Sequence, residues 1–308
     1  MSWFLLAIIG HLANGVAFAI DKILLRSAFS RSATYAGLVG VLSFAVVAAI
    51  PFVSIWPQGS QWFTSFICGA TFVFALWAFF AALARSEASR VVPIVGSLIP
   101  IFTLAGSFTF LAERLSDKTF FGFSILILAT ILLSGGKSGK PSRQTVWLAV
   151  TSAVLFAVSS VAGKSIYEGA GFLGGLISSR IFAAMTAAFI LFVIDREAGR
   201  EALMVIRPGK ERNTSKHTKQ PGRLAALLAL GGQALGSIGF ILVQLAIAQG
   251  SPSVVNAMQA VQYALLVGLA LILKERAPQL MGEHVTRESM IRKGIALGLT
   301  VAGMYLII

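Results

Sequence analysis

The chain has 308 residues, 56% of them hydrophobic and only 12% charged, with a formal net charge of +13. A soluble domain carries about a quarter charged residues, and a single core of this size cannot hide so much apolar surface, so a water-soluble globule is excluded. The one cysteine, Cys68, excludes an internal disulfide and a thiolate metal site, and His11, His217 and His284 form no zinc motif, so neither metal nor other cofactor is expected. The positive charge does not point to nucleic acid, because the basic residues lie in connections between apolar runs, where membrane topology explains them.

A helix needs roughly 20 apolar residues to cross hydrocarbon. Ten such runs are predicted in chain order: 3–20, 34–53, 62–84, 91–111 and 119–133, then 146–163, 172–194, 224–248, 254–273 and 293–308. The start, Met1-Ser2-Trp3, has no basic n-region and no Ala-x-Ala cleavage site, so the first run is read as a retained span. Gly135-Gly136-Lys137-Ser138-Gly139-Lys140-Pro141 marks a central linker. Residues 195–222 form a long basic loop that no apolar period crosses. The expected organisation is a first five-helix unit at 1–136, a linker at 137–144 and a second five-helix unit at 145–308.

The two units repeat. A shift of 162 residues brings Leu83-Ala84 onto Leu245-Ala246, Ser89 onto Ser251, Gly106 onto Gly268 and Leu111-x-Glu113-Arg114 onto Leu273-x-Glu275-Arg276. Gly69 meets Gly231 in the same register, and a shift of 142 brings Lys22 onto Lys164. Five helices per unit is an odd number, so the units are inverted relative to each other. Inverted repeats recur in secondary transporters, with the site at the repeat interface. The fold class is all-α: a polytopic membrane protein of ten transmembrane helices in two inverted five-helix repeats.

All of the 25 Lys and Arg residues except Arg114, Lys118, Lys164 and Arg180 lie in the odd-numbered connections or at their edges. The positive-inside rule places that face in the cytoplasm and both termini outside.

Residues 82–133 resemble the drug/metabolite transporter superfamily, in particular its ten-helix EamA-type branch. The resemblance rests on Ala82-Leu83 near the end of span three, Pro93 and Pro100 in span four, the exit Glu113-Arg114-Leu115, and Gly122 in span five. Leu245-Ala246, Ser251, Glu275-Arg276 and Gly294 echo it in the second half, and Arg180 sits where such proteins often carry an arginine. The resemblance implies export or exchange of small metabolites, amino acids and nucleotide-related compounds among them. It also implies a central cavity lined by spans one, three, four, six, eight and nine. It places both termini in the cytoplasm, opposite to the charge count. Small multidrug-resistance relatives exchange protons through a glutamate in their first helix. Span one has no carboxylate before Asp21, which argues against that coupling.

A polar side chain in hydrocarbon is costly without a partner or water, so its position is informative. Span one carries His11, Asn14 and Gly15 on one face: a cavity lining, or a helix-packing contact. Span four carries Pro93, Gly96, Ser97 and Pro100 on one face; the prolines remove backbone donors, so a bend is expected, with freed carbonyls available to substrate. Span nine carries a stripe of Asn256, Gln259, Gln262 and Tyr263, and span eight another of Gln233, Ser237 and Gln244; these amides are either the strongest binding-site candidates or a ladder joining helices. Trp77 is a candidate cavity wall. Arg180 is an anion contact or a structural arginine reaching backbone carbonyls. Lys22 and Lys164 occupy equivalent positions, as gates at opposite mouths or as interfacial anchors.

The leading expectation is a monomeric secondary carrier in a bacterial inner (plasma) membrane, its partners the lipid bilayer and a small-molecule substrate. A flippase for a lipid-linked headgroup is the alternative. A non-transporting scaffold or an intramembrane enzyme ranks last, since the spans hold no convergent nucleophile, base or metal set.

Overall fold

The computed structural model describes residues 2–25, 31–86, 88–134, 142–206, 223–273 and 287–308. In chain order it contains α1 (Trp3–Leu25), α2 (Ser32–Leu42) running on as a 3-10 segment (Ser43–Phe52), α3 (Gln61–Arg85), α4 (Ala88–Phe110) and α5 (Asp117–Ser134). There follow α6 (Arg143–Phe189) with a π-helical turn (Ile190–Ile194), α7 (Arg196–Ile206), α8 (Arg223–Gln249), α9 (Pro252–Ala257), α10 (Ala260–Leu273) and α11 (Arg287–Ile307). No strand occurs among the described residues.

The packing is that of a protein dissolved in lipid. Many of the side chains shut away from the surroundings are small: Ala75, Ala82, Ala149, Ala153, Ala183 and Ala187 are fully buried, alongside larger ones such as Leu126, Ile166 and Ile177. Other large apolar groups face outward, among them Phe63, Phe66, Phe121, Trp147, Phe192 and Ile295. Hydrocarbon removes the drive to bury Phe and Ile, while small residues let backbones approach closely. By length and apolar composition, four helical segments among the described residues qualify as spans: Ser32–Phe52, Gln61–Arg85, Arg143–Ile194 and Gly231–Gln249; Trp3–Phe18 and Ile94–Phe110 are shorter apolar helices. The 3-10 segment rises about 2 Å per residue, so α2 and its extension together reach roughly the thickness of the hydrocarbon.

Three departures from the expected spans bear on the site. First, α6 is interrupted at Gly171, whose φ of 67° and ψ of 170° fall where glycine alone is comfortable. On α3, Cys68 meets Ser159 and Ala75 meets Ser152, whereas Ser65 meets Ser178 and Phe72 meets Arg180. The first arm of α6 is therefore antiparallel to α3 and the second parallel to it: the chain reverses at Gly171. Residues 164–170, expected as a connection, are helical. Second, the predicted span 254–273 is broken at Met258-Gln259 into α9 and α10, while α4 runs as one helix through Pro93 and Pro100. Each proline deletes one backbone donor but leaves the rest of the ladder intact. Third, the basic stretch 195–222 begins with a helix. Asp195 caps α7, its Oδ1 accepting from the Ala198 N–H at 3.0 Å, and Ala198 and Ala202 bury one face against α2 and the end of α6. Arg31 binds both Asp195, at 3.3 Å, and Glu197, tying the first connection to α7.

The strongest packing joins residues before 136 to residues after 142: α3 on α6, α1 on α8, α5 on α11 and α4 on α6, with α4 on α9 and α1 on α10 completing the interior.

Candidate substrate-binding site

The interior is built at close helix crossings. At Gly10 an added Cβ would lie 2.8 Å from Val243 and 2.9 Å from the Gly239 carbonyl, so α1 and α8 touch backbone to backbone. That contact turns the polar face of α1 toward the second half. His11 is buried and its Nε2 donates to the Val255 carbonyl on α9 at 2.8 Å. Asn14 is half-buried, its Oδ1 against Gly239, and Gly15 lies beside Gln262. Among the described residues His11 Nδ1 has no partner.

The amide stripe of the ninth span is divided by the helix break. Asn256, at the end of α9, donates from Nδ2 to Thr103 Oγ1 on α4 at 3.0 Å and to Ser160 Oγ on α6 at 3.1 Å. One amide thus ties three helices just before the backbone bonds tighten to the i−3 carbonyl at Gln259 and Val261. Gln259 sits in the turn and Gln262 on α10, both half-buried. Tyr263 is buried with its hydroxyl against Gly96 of α4; a Cβ there would be 2.4 Å from it. Ser97 and Pro100 are buried on the same helix. The side chains of Pro93 and Lys22 lie outside the described residues.

On α8, Gln233 donates to the Tyr35 hydroxyl at 3.3 Å, and Gln244 accepts from the Tyr167 hydroxyl at 3.0 Å. Between them in sequence, Phe240 lies over Arg180. The guanidinium carbon is 4.2 Å from the Phe72 ring centroid and 4.9 Å from that of Phe240. Arg180 is only 3% exposed, and its Nε and Nη1 meet no acceptor among the described residues. It reaches that place because Gly69 lets α3 lie directly on the second arm of α6: a Cβ at Gly69 would be 2.3 Å from the Ser179 carbonyl.

Two predicted residues have local roles in the structure. Lys164 donates to the Ala248 carbonyl at 3.0 Å and pairs with Glu168 at 3.4 Å, joining α6 to the end of α8. Trp77 stacks on Phe74 at 6.3 Å and packs against the apolar cluster of α2, α3 and the second arm of α6. Sequence reasoning gave Glu113 no partner. Its carboxylate accepts from Ser251 Oγ and, at 2.9 Å, from Ser253 Oγ, bracing the start of α9, where Ser251 also caps the Val254 N–H at 3.0 Å. The only available signal was that Ser251 and Glu113 both belong to the repeated motifs.

A chain that is helical throughout its regular described elements, with lipid-facing Phe and Ile and a hydrogen-bonded polar interior, is a polytopic membrane protein. Residues 1–135 match the EamA-like transporter family. No curated protein matches the sequence. A solved structure titled "Crystal structure of protein" is similar at 18% identity and a TM-score of 0.66, over 99% of this chain and 95% of that one, which is a likeness of fold.

Proposed function

We propose that this protein is a secondary carrier for small polar metabolites, working by alternating access of two inverted five-helix halves around a site near mid-membrane. The observation that supports this most is the break at Met258-Gln259, flanked by Asn256 with its bonds to α4 and α6. Irregular backbone at membrane depth is stable only where protein or a watery cavity satisfies it, and transporters use such breaks to meet substrate. His11, Asn14, Ser97, Pro100, Gln259, Gln262 and Tyr263 lie on the elements around it. The charge bias favours termini outside and the odd-numbered connections in the cytoplasm of a bacterial inner membrane.

The test is uptake and counterflow in proteoliposomes with labelled amino acids and nucleotides, at two imposed pH gradients. Saturable counterflow of at least one compound is expected, without dependence on the gradient because span one offers no carboxylate before Asp21. Verified insertion with no counterflow across the whole panel rejects the carrier reading.

A further inference from the structure

Arg180 has what a structural arginine normally avoids. Taking an ion out of water costs several kcal/mol even after relaxation, and proteins ordinarily recover this with a counter-ion or hydrogen bonds. Lys164 takes a backbone carbonyl and a carboxylate. Arg180 takes neither among the described residues; two aromatic rings hold the cation without using its N–H donors. The sequence also supplies no deep counter-ion. Every Asp and Glu, twelve in all from Asp21 to Glu288, sits near a span end or in a connection.

The neighbours reinforce this. Gln244 lies one turn beyond Phe240 on the same face of α8. Its Oε1 is taken by Tyr167, and its Nε2 donors have no partner among the described residues. The Tyr167 ring folds across the Gly171 reversal onto Gly175, five residues before Arg180. A planar cation with free donors, aromatic walls and an adjacent amide donor is complementary to a carboxylate or phosphate group.

We infer that Arg180 binds the anionic group of the transported solute, so that the carrier selects small organic anions carrying a carboxylate or phosphate. This rests on the carrier reading above and names its substrate class. The bound anion completes the guanidinium's hydrogen bonds, and Phe72 and Phe240 keep the cation in place when the site is empty.

The experiment is thermal unfolding of the purified full chain in detergent at fixed ionic strength. L-glutamate and inorganic phosphate are the anionic probes, ethanolamine and glycerol the cationic and neutral controls, and dihexanoylphosphatidylglycerol the lipid-headgroup arm. Wild-type protein is expected to show a saturable rise in Tm with at least one soluble anion and none with the controls. R180Q is expected to weaken that response about 10- to 100-fold, and R180K, which keeps the charge but loses the fork, about tenfold. If R180Q does not fold, R180K and the wild-type anion-against-cation contrast still decide. No shift with any anion, or an undiminished shift in both variants, overturns the inference. A shift with the lipid alone overturns the solute assignment and gives the site to a headgroup. Counterflow of neutral or cationic solutes that persists in R180Q leaves the carrier standing while this inference falls; an Arg180-dependent shift without any counterflow does the reverse.

Discussion

Glu113 and Arg180 are charged side chains at two ends of the same problem. Glu113, half-buried where α4 ends, has both carboxylate oxygens engaged by Ser251 and Ser253. Arg180, far more deeply placed, has no hydrogen-bond partner among the described residues and rests between two phenyl rings. A group whose task is to fix α9 against α4 should be saturated by the protein. A group whose task is to receive something from outside must be left unsaturated, at a cost in stability. The difference teaches which polar residues of a membrane interior to treat as architecture.

The largest effect that bears on this contrast is expected at Gly69. Gly69→Leu drives a side chain into the backbone of Ser179 and Ala183 and pushes away the arm that carries Arg180. A loss of about 3 kcal/mol or more is expected, read as aggregation on size exclusion or a collapsed Tm. Glu113→Ala leaves two serine hydroxyls without their acceptor and should cost about 1–3 kcal/mol in thermal unfolding; an unchanged Tm would remove Glu113 from the architecture. Arg180→Met should behave in the opposite way. Replacing an unpaired buried cation by an apolar chain of similar length is expected to leave stability unchanged or raise it by about 1 kcal/mol, while counterflow of anionic solutes is lost. A large drop in Tm for that variant would erase the contrast. The smallest effect is expected for Phe240→Leu, which removes one of the two rings and should weaken anion-dependent stabilisation by only a few-fold, about 0.5–1 kcal/mol.

The sequence made the helices legible, and their interruptions only in part. Apolar length located the runs on either side of Gly171, because composition alone separates 146–163 from 172–194. It did not show the break at Met258-Gln259. Two prolines drew attention to α4, yet the discontinuity falls at Met258-Gln259, where no proline stands and tertiary contacts of Asn256 flank the turn. The amide stripe was visible as a period, but its partners were not: Thr103 and Ser160 lie 153 and 96 residues from Asn256 along the chain, and periodicity carries no information across such distances. Arg180 was visible as a deep charge with two readings, but the sequence does not show that Nε and Nη1 meet no acceptor among the described residues. The loop 195–222 showed its charge and concealed α7, although Arg196–Ile206 is amphipathic at helical spacing and the signal was there to read.

The exchange of sizes between interior and exterior has a consequence for how the chain tolerates change. In a water-soluble protein the fragile positions are the large aliphatic ones, which lose volume. Here Ala183, Ala187, Gly10 and Gly69, which can only gain it, join buried Leu126, Ile166 and Ile177 as fragile positions, while the bulky Phe63, Phe121 and Ile295 on the lipid face are interchangeable with residues of like oiliness. A saturation-mutagenesis map of this protein should therefore be written in methyl groups added as well as removed: Ala183→Val more damaging than Phe121→Leu.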